Sequence, residues 1–155
     1  MIARLLNYAN IIYILVVFLF LLDVFTNVDI SFQPLKTSVY WGIMALSPIL
    51  LIFNAFIKIN LCKKIALILI SIFMLTFIFV MKPINILFAS GVWETREVLF
   101  RNTNNNRTIE LQIQDRGALG YNKRTVEVLH LSPLFLFAKK APQITERNPE
   151  WILVE

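Results

Sequence analysis

Residues 65–81, IALILISIFMLTFIFVM, form an uncharged and almost wholly apolar run. A transmembrane helix needs about 17–25 such residues, and this run meets the lower bound. Nothing else in the chain limits the fold as strongly. A stretch of this kind must leave water, and what lies before and after it is organised by that requirement. Before it the sequence is mostly apolar runs joined by short polar loops; after it come charged, alternating segments.

Two companion spans precede it. Residues 5–25 carry Asn7 and Asn10 at one end and Asp23 at the other, with Arg4 just ahead. A basic residue followed by an apolar core also begins a signal peptide. The residues after this core, DVFTNVDIS, offer neither a small-x-small cleavage pattern nor a cysteine for lipid attachment, so an uncleaved span is expected. Residues 26–38 are expected to form a polar loop with Asp29, Pro34 and Lys36. The next span, 39–57, opens on Tyr40 and Trp41, aromatic residues suited to the headgroup level. Pro48 near its middle lacks a backbone donor and predicts a kink.

Composition agrees with a lipid host. Hydrophobic residues make up 57% of the 155-residue chain, and the mean hydropathy is +0.67. Soluble domains run at roughly 45–50% apolar, so the excess needs a bilayer or a very large interface. Thirteen Phe against four Gly argue for lipid-facing packing over a loop-rich scaffold.

The net charge of +5 raises nucleic acid as a partner, and its distribution argues against it. Up to residue 83, six cations (Arg4, Lys36, Lys58, Lys63, Lys64, Lys82) face Asp23 and Asp29; beyond it, nine basic residues face eight acidic ones. The excess flanks the spans, where positive charge serves topology and lipid headgroups. The remainder lacks the dense basic face of a nucleic-acid reader. The connector KINLCKK, residues 58–64, predicts a cytoplasmic loop by the positive-inside bias. The N-terminus is then cytoplasmic, the Asp29 loop external, and everything after residue 83 extracytoplasmic. In a double-membraned bacterium this is a multi-pass inner-membrane protein with a periplasmic domain.

Lys82-Pro83 ends the third helix, because the residue before proline disfavours the helical conformation. Residues 84–92 are apolar but short, and are expected to form a membrane-surface linker or a first strand. From Trp93 the period changes to two. Ile109, Leu111 and Ile113 alternate with Thr108, Glu110, Gln112 and Gln114, a half-buried strand pattern. Residues 94–101 are strand-like, and 103–106 (TNNN) supply the turn. Residues 116–123 form a glycine-containing connector; 124–131 place Val126, Val128 and His130 on one face; and 134–138 give a fourth, apolar strand. Residues 141–149 are an irregular tail and 151–154 a short edge strand. The fold class is therefore three transmembrane helices (residues 1–83) followed by a small antiparallel β-meander domain (residues 84–155).

Chemistry is sparse. The single cysteine and single histidine exclude zinc sites built from those ligands, and no cofactor or other metal site is indicated. His130 has no second histidine and no nucleophile arrangement, since Ser132 before Pro133 reads as a strand end. Asp115 and Glu110 form no recognisable acid/base couple. Residues 117–124, GALGYNKR, lack the Walker spacing and are expected to be a hairpin connector. Arg96, Arg101, Arg107, Arg116 and Arg124 are interspersed with acids, so cross-strand pairing accounts for most of them. Ser47, Pro48, Asn54, Ser71 and Thr76 are expected to serve helix packing. Asp23, near the outer headgroups with no deep cation to pair with, is expected to be interfacial. Cys62, beside two lysines, is expected to be a small interfacial residue, not an acylation site.

What remains is a non-enzymatic interaction protein, such as an accessory or assembly subunit of a cell-envelope complex. An immunity-type protein that neutralises a toxin, or a component of an oligomeric channel or transporter, are the alternatives. A β domain of this size is small for a self-sufficient core. Its candidate partner contacts are Trp93, Tyr121, Arg124, Leu134, Phe135, Phe137 and Trp151, with the bilayer, other envelope proteins or a second copy as partners.

Overall fold

The computed structural model describes residues 2–56, 60–142 and 151–154, and comprises two compact units. One contains Met1–Leu21 and Thr37–Leu87; the other contains Leu22–Lys36 and Phe88–Glu155.

The first unit is helical. Helices α1 (Ile2–Phe25), α2 (Gln33–Phe56) and α3 (Leu61–Met81) are each long and apolar enough to cross a membrane. Each contains the span expected from its apolar run, except that residue 57 lies outside the described residues. Helix α2 continues through Pro48. The start of α3 is fixed by Asn60, whose side chain accepts the Cys62 N–H at 3.0 Å. At its far end Lys82 takes a φ of +62°. Pro83 then opens a short helix, α4 (Pro83–Phe88), at the position where a missing N–H costs nothing. Residues 83–88 are thus helical, and the strand alternative for 84–92 is not adopted; after α4, sheet pairing begins at Trp93.

Aromatic packing centres on Phe20, which meets Tyr40 and Phe77 edge-to-face at centroid distances of 5.1 and 5.9 Å. Tyr13, Phe20, Ile43 and Met74 are fully buried. Leu5, Ile12, Phe18, Phe53, Phe73 and Phe79 face outward. An apolar exterior around a partly polar interior suits a hydrocarbon solvent.

The second unit is a six-stranded antiparallel sheet: β1 (Val28–Ile30), β2 (Trp93–Asn102), β3 (Arg107–Asp115), β4 (Tyr121–His130), β5 (Phe135–Lys140) and β6 (Trp151–Leu153). The spatial order is β1-β5-β4-β3-β2-β6. Strands β2 to β5 form the expected meander, and β6 pairs with β2 as the expected edge strand. The turn after β2 is held by asparagine side chains: Asn102 accepts from the Asn104 N–H, and Asn105 from the Arg107 N–H. The connector after β3 is a single 3-10 turn, Gly117–Leu119, with Gly117 and Gly120 at φ of +60° and +85°. Both lie in the left-handed region that side chains disfavour, which explains glycine at these two positions. β4 begins directly afterwards, at Tyr121.

Two expectations are corrected. Residues 26–38 are not simply a loop: Val28–Ile30 pairs with β5 as the sheet's other edge, and α2 already begins at Gln33. The Ser31 N–H donates to the Leu134 carbonyl, and the Ala138 N–H to the Asn27 carbonyl. The burial phase of β3 also differs. Glu110, Gln112 and Gln114 are buried, whereas Leu111 and Ile113 are only half-buried. Alternation identifies two faces but does not say which is covered, and here the covered face is polar. The apolar part of that face is small: Val126, Val128, Leu136 and Ala138.

Candidate functional site

The buried face of the sheet carries one continuous hydrogen-bonded network. Strand β3 supplies Thr108, Glu110, Gln112 and Gln114 at alternate positions, and β4 places Arg124 opposite Gln112 and Asn122 opposite Gln114. Glu110 Oε1 accepts from Thr108 Oγ1 at 2.6 Å and lies 3.3 Å from His130 Nε2. Its Oε2 accepts from Thr95 Oγ1 at 2.6 Å and from Gln112 Nε2 at 3.0 Å. Gln112 Oε1 in turn accepts from Arg124 Nε and Nη2 at 3.0 and 2.8 Å. Arg124 Nη2 also donates to Asp29 Oδ2 on β1, and its guanidinium lies 4.1 Å from the ring centroid of Trp93. Thr95 stands opposite Gln112 and reaches Glu110 as its diagonal neighbour on β3.

A second cluster ties down residues 22–36 of this unit. Asp23 pairs with Lys36 at 3.2 Å, with both side chains nearly inaccessible (2% and 3% exposed). Its other oxygen accepts the Ile30 N–H at 2.7 Å. The sequence places no basic residue deep in a span for Asp23; the partner it finds, Lys36, stands in the first turn of α2. Gln33 adds a two-way link, accepting the Val92 N–H and donating to the Ser90 carbonyl.

Electrostatics separates Asp29 from Glu110. Burial pushes Asp29 above its ordinary value, against the charge and hydrogen bond of Arg124 and the charge of Lys36; the charge of Asp23 adds to the rise. Burial would also raise Glu110, but hydrogen bonds from Thr108, Thr95, Gln112 and His130 outweigh it and hold its carboxyl below the usual range. Glu110 is therefore a fixed anion, fully engaged as an acceptor. The arrangement orients strands and charges and fills its own bonding capacity.

The residues singled out from the sequence fall into three groups. Trp93 and Arg124 join the network. Leu134, Phe135 and Phe137 lie on or beside β5, with Leu134 exposed and the two phenylalanines half-buried, and Tyr121 is exposed at the start of β4. Trp151 is half-buried on the opposite edge, paired with Asn102. Ser132 accepts the N–H groups of Leu134 and Phe135, as a turn residue. Of the arginines, Arg107 pairs with Glu127 at 2.7 Å, and Lys139 shares that carboxylate at 3.2 Å. In the helical unit, Tyr13 Oη donates to Ser47 Oγ, which donates to the Ile43 carbonyl; Thr76 donates to the Ile72 carbonyl; Asn54 pairs with Asn10; and Ser71 Oγ is buried with no hydrogen-bond partner among the described residues. Cys62 is exposed. Among the described residues, no group of three His, Cys, Asp or Glu side chains could hold a metal.

Asp29, Lys36, Thr95 and Gln112 were not anticipated. The available signal was the strict period-two run of polar side chains from Thr108 to Gln114, which suits a polar interior as well as a wet exterior. Comparison with protein-family models, with curated proteins and with solved structures finds no match to this chain.

Proposed function

We propose that this protein is a non-enzymatic interaction subunit, held in the inner membrane by its three helices, that serves an accessory or assembly role in a larger cell-envelope complex. In this arrangement the N-terminus is cytoplasmic and the sheet is extracytoplasmic, as the basic residues between α2 and α3 favour. The observation that carries the reading is the β6 edge. This strand is three residues long and pairs on one side with β2. Ile152 and Leu153 on it are 59% and 60% exposed, and Val154 follows them into solvent. An edge strand offers unpaired backbone groups to another chain, and adding a strand is a common mode of protein recognition. The network supports the same reading: it holds the sheet rigid and leaves recognition to its rim.

The test is affinity purification of the tagged full chain from native membranes in mild detergent, with mass spectrometry of the complex. A stoichiometric foreign subunit, lost in Ile152→Lys and Leu153→Lys, is the expected result. A chain that purifies alone, or only with copies of itself, rejects the accessory role.

A further inference from the structure

A second feature, independent of the sheet, lies in the helical unit. The start of α1 and the start of α3 enclose an open cavity of about 310 Å³. Its polar lining includes Arg4, Asn7, Asn60 and Lys63, and its apolar wall is Leu6 and Leu67. Small-ligand pockets begin at about 300 Å³, so the space suits a headgroup and not a whole lipid. Arg4 and Lys63 are exposed and, among the described residues, take part in no ion pair. Neighbouring polar groups are already engaged. Lys64 Nζ donates to the Ala55 carbonyl at 2.7 Å, Asn10 is bonded both ways to Asn54, and Asn60 Oδ1 caps α3. Two cations and the Asn7 amide thus line the cavity, and among the described residues no acidic side chain lines it. Around them Leu5, Leu61 and Ile65 are exposed, as lipid-facing side chains would be.

We propose that this cavity binds the phosphodiester headgroup of an anionic phospholipid, with Arg4 and Lys63 as its counter-charges and Leu6 and Leu67 against the start of its acyl chains. Basic pockets between membrane helices at the cytoplasmic end hold anionic headgroups on these terms. The apolar wall favours a lipid over a free phosphate ion, which has nothing to place there.

Native mass spectrometry of the delipidated full chain in mild detergent tests this directly. The probes are phosphatidylglycerol, phosphatidylcholine and inorganic phosphate. Phosphatidylglycerol adducts are expected at concentrations at least about tenfold below those needed for phosphatidylcholine. Arg4→Gln and Lys63→Gln should each weaken them about fivefold, the factor expected for one basic residue at an anionic surface. Arg4→Lys with Lys63→Arg should retain binding, and Lys82→Gln, at the other end of α3, should not change it. Equal uptake of the two lipids, or undiminished phosphatidylglycerol binding in the double glutamine variant, overturns the proposal. Displacement of phosphatidylglycerol by millimolar inorganic phosphate would assign the site to the free ion and overturn the lipid assignment.

Discussion

Both units of this protein turn polar side chains inward, but they choose different ones. The helical unit buries Asn10, Ser47, Asn54 and Ser71, all neutral. The sheet unit buries neutral Asn102, Gln112 and Gln114 too, but adds the charged Asp23, Asp29, Lys36, Glu110 and Glu127. The difference follows from the solvent each unit is built for. A helix surrounded by hydrocarbon cannot expose an ion before it packs, so only neutral groups are cheap to carry inside. A sheet folding from water begins with its charges hydrated and can bury them where several partners replace that water. Among the described residues, four buried apolar side chains cluster on its covered face, so the charges and amides hold a large share of its specificity.

The sharpest way to break this contrast is at Lys36. Lys36→Met takes away the ion-pair partner of the buried Asp23 carboxylate, and is expected to cost about 3–5 kcal/mol. Denaturant unfolding of the full chain in detergent, followed by tryptophan fluorescence, would measure it. The double variant Asp23→Leu with Lys36→Met should regain most of the loss, because an apolar pair of similar volume often replaces a buried ion pair without penalty. A loss under 1 kcal/mol for Lys36→Met alone would mean that water reaches the pair and that the sheet unit does not bury ions in the sense argued here.

Glu110 comes next. Glu110→Gln exchanges an ionised acceptor of several bonds for a neutral amide, and should destabilise by about 1.5–3 kcal/mol. Its pH signature is more specific. The folded-state carboxyl lies below the ordinary value of 4.5, so its contribution is complete above that pH and disappears as pH falls through the lower folded value. Asp29 has the opposite sign. Its folded-state value lies above 3.8, so protonation in that window favours the fold as pH falls. The acid limb of a stability profile should therefore flatten in Glu110→Gln and steepen in Asp29→Asn. Parallel acid limbs in the two variants would contradict the assignment.

How much of this was legible in the sequence also divides between the units. The three helices follow from apolar runs that no other environment accepts, and the meander follows from period-two alternation broken at asparagine and glycine. Three things were hidden, each for a physical reason. β1 is three residues long and owes its existence to backbone bonds with β5, which no local pattern announces. The covered face of β3 could not be told from its open face, because Ile109 is buried on one side and Glu110 on the other. The partners of Asp23 and Arg124, Lys36 and Asp29, are 13 and 95 residues away along the chain and meet only once the fold exists. Trp93 and Arg124 were read as candidate partner contacts, and not as each other's neighbours.

The smallest expected effect closes the comparison from the helical side. Asn10 and Asn54 exchange two hydrogen bonds, at 3.0 and 2.9 Å, between α1 and α2. In a lipid-facing bundle such interhelical bonds contribute on average about 0.6 kcal/mol, with values up to about 1.7, because unpacked helices also find partners for their polar groups. A double-mutant cycle with Asn10→Leu and Asn54→Leu, read from unfolding in detergent, should give a coupling in that range. The double variant should be less damaged than the sum of the singles, since each single strands one amide in an apolar setting. A coupling above 3 kcal/mol would place the amide pair on a level with the ion pair at Lys36. The contrast would then owe nothing to solvent, and α1 and α2 would be packing as they would in water.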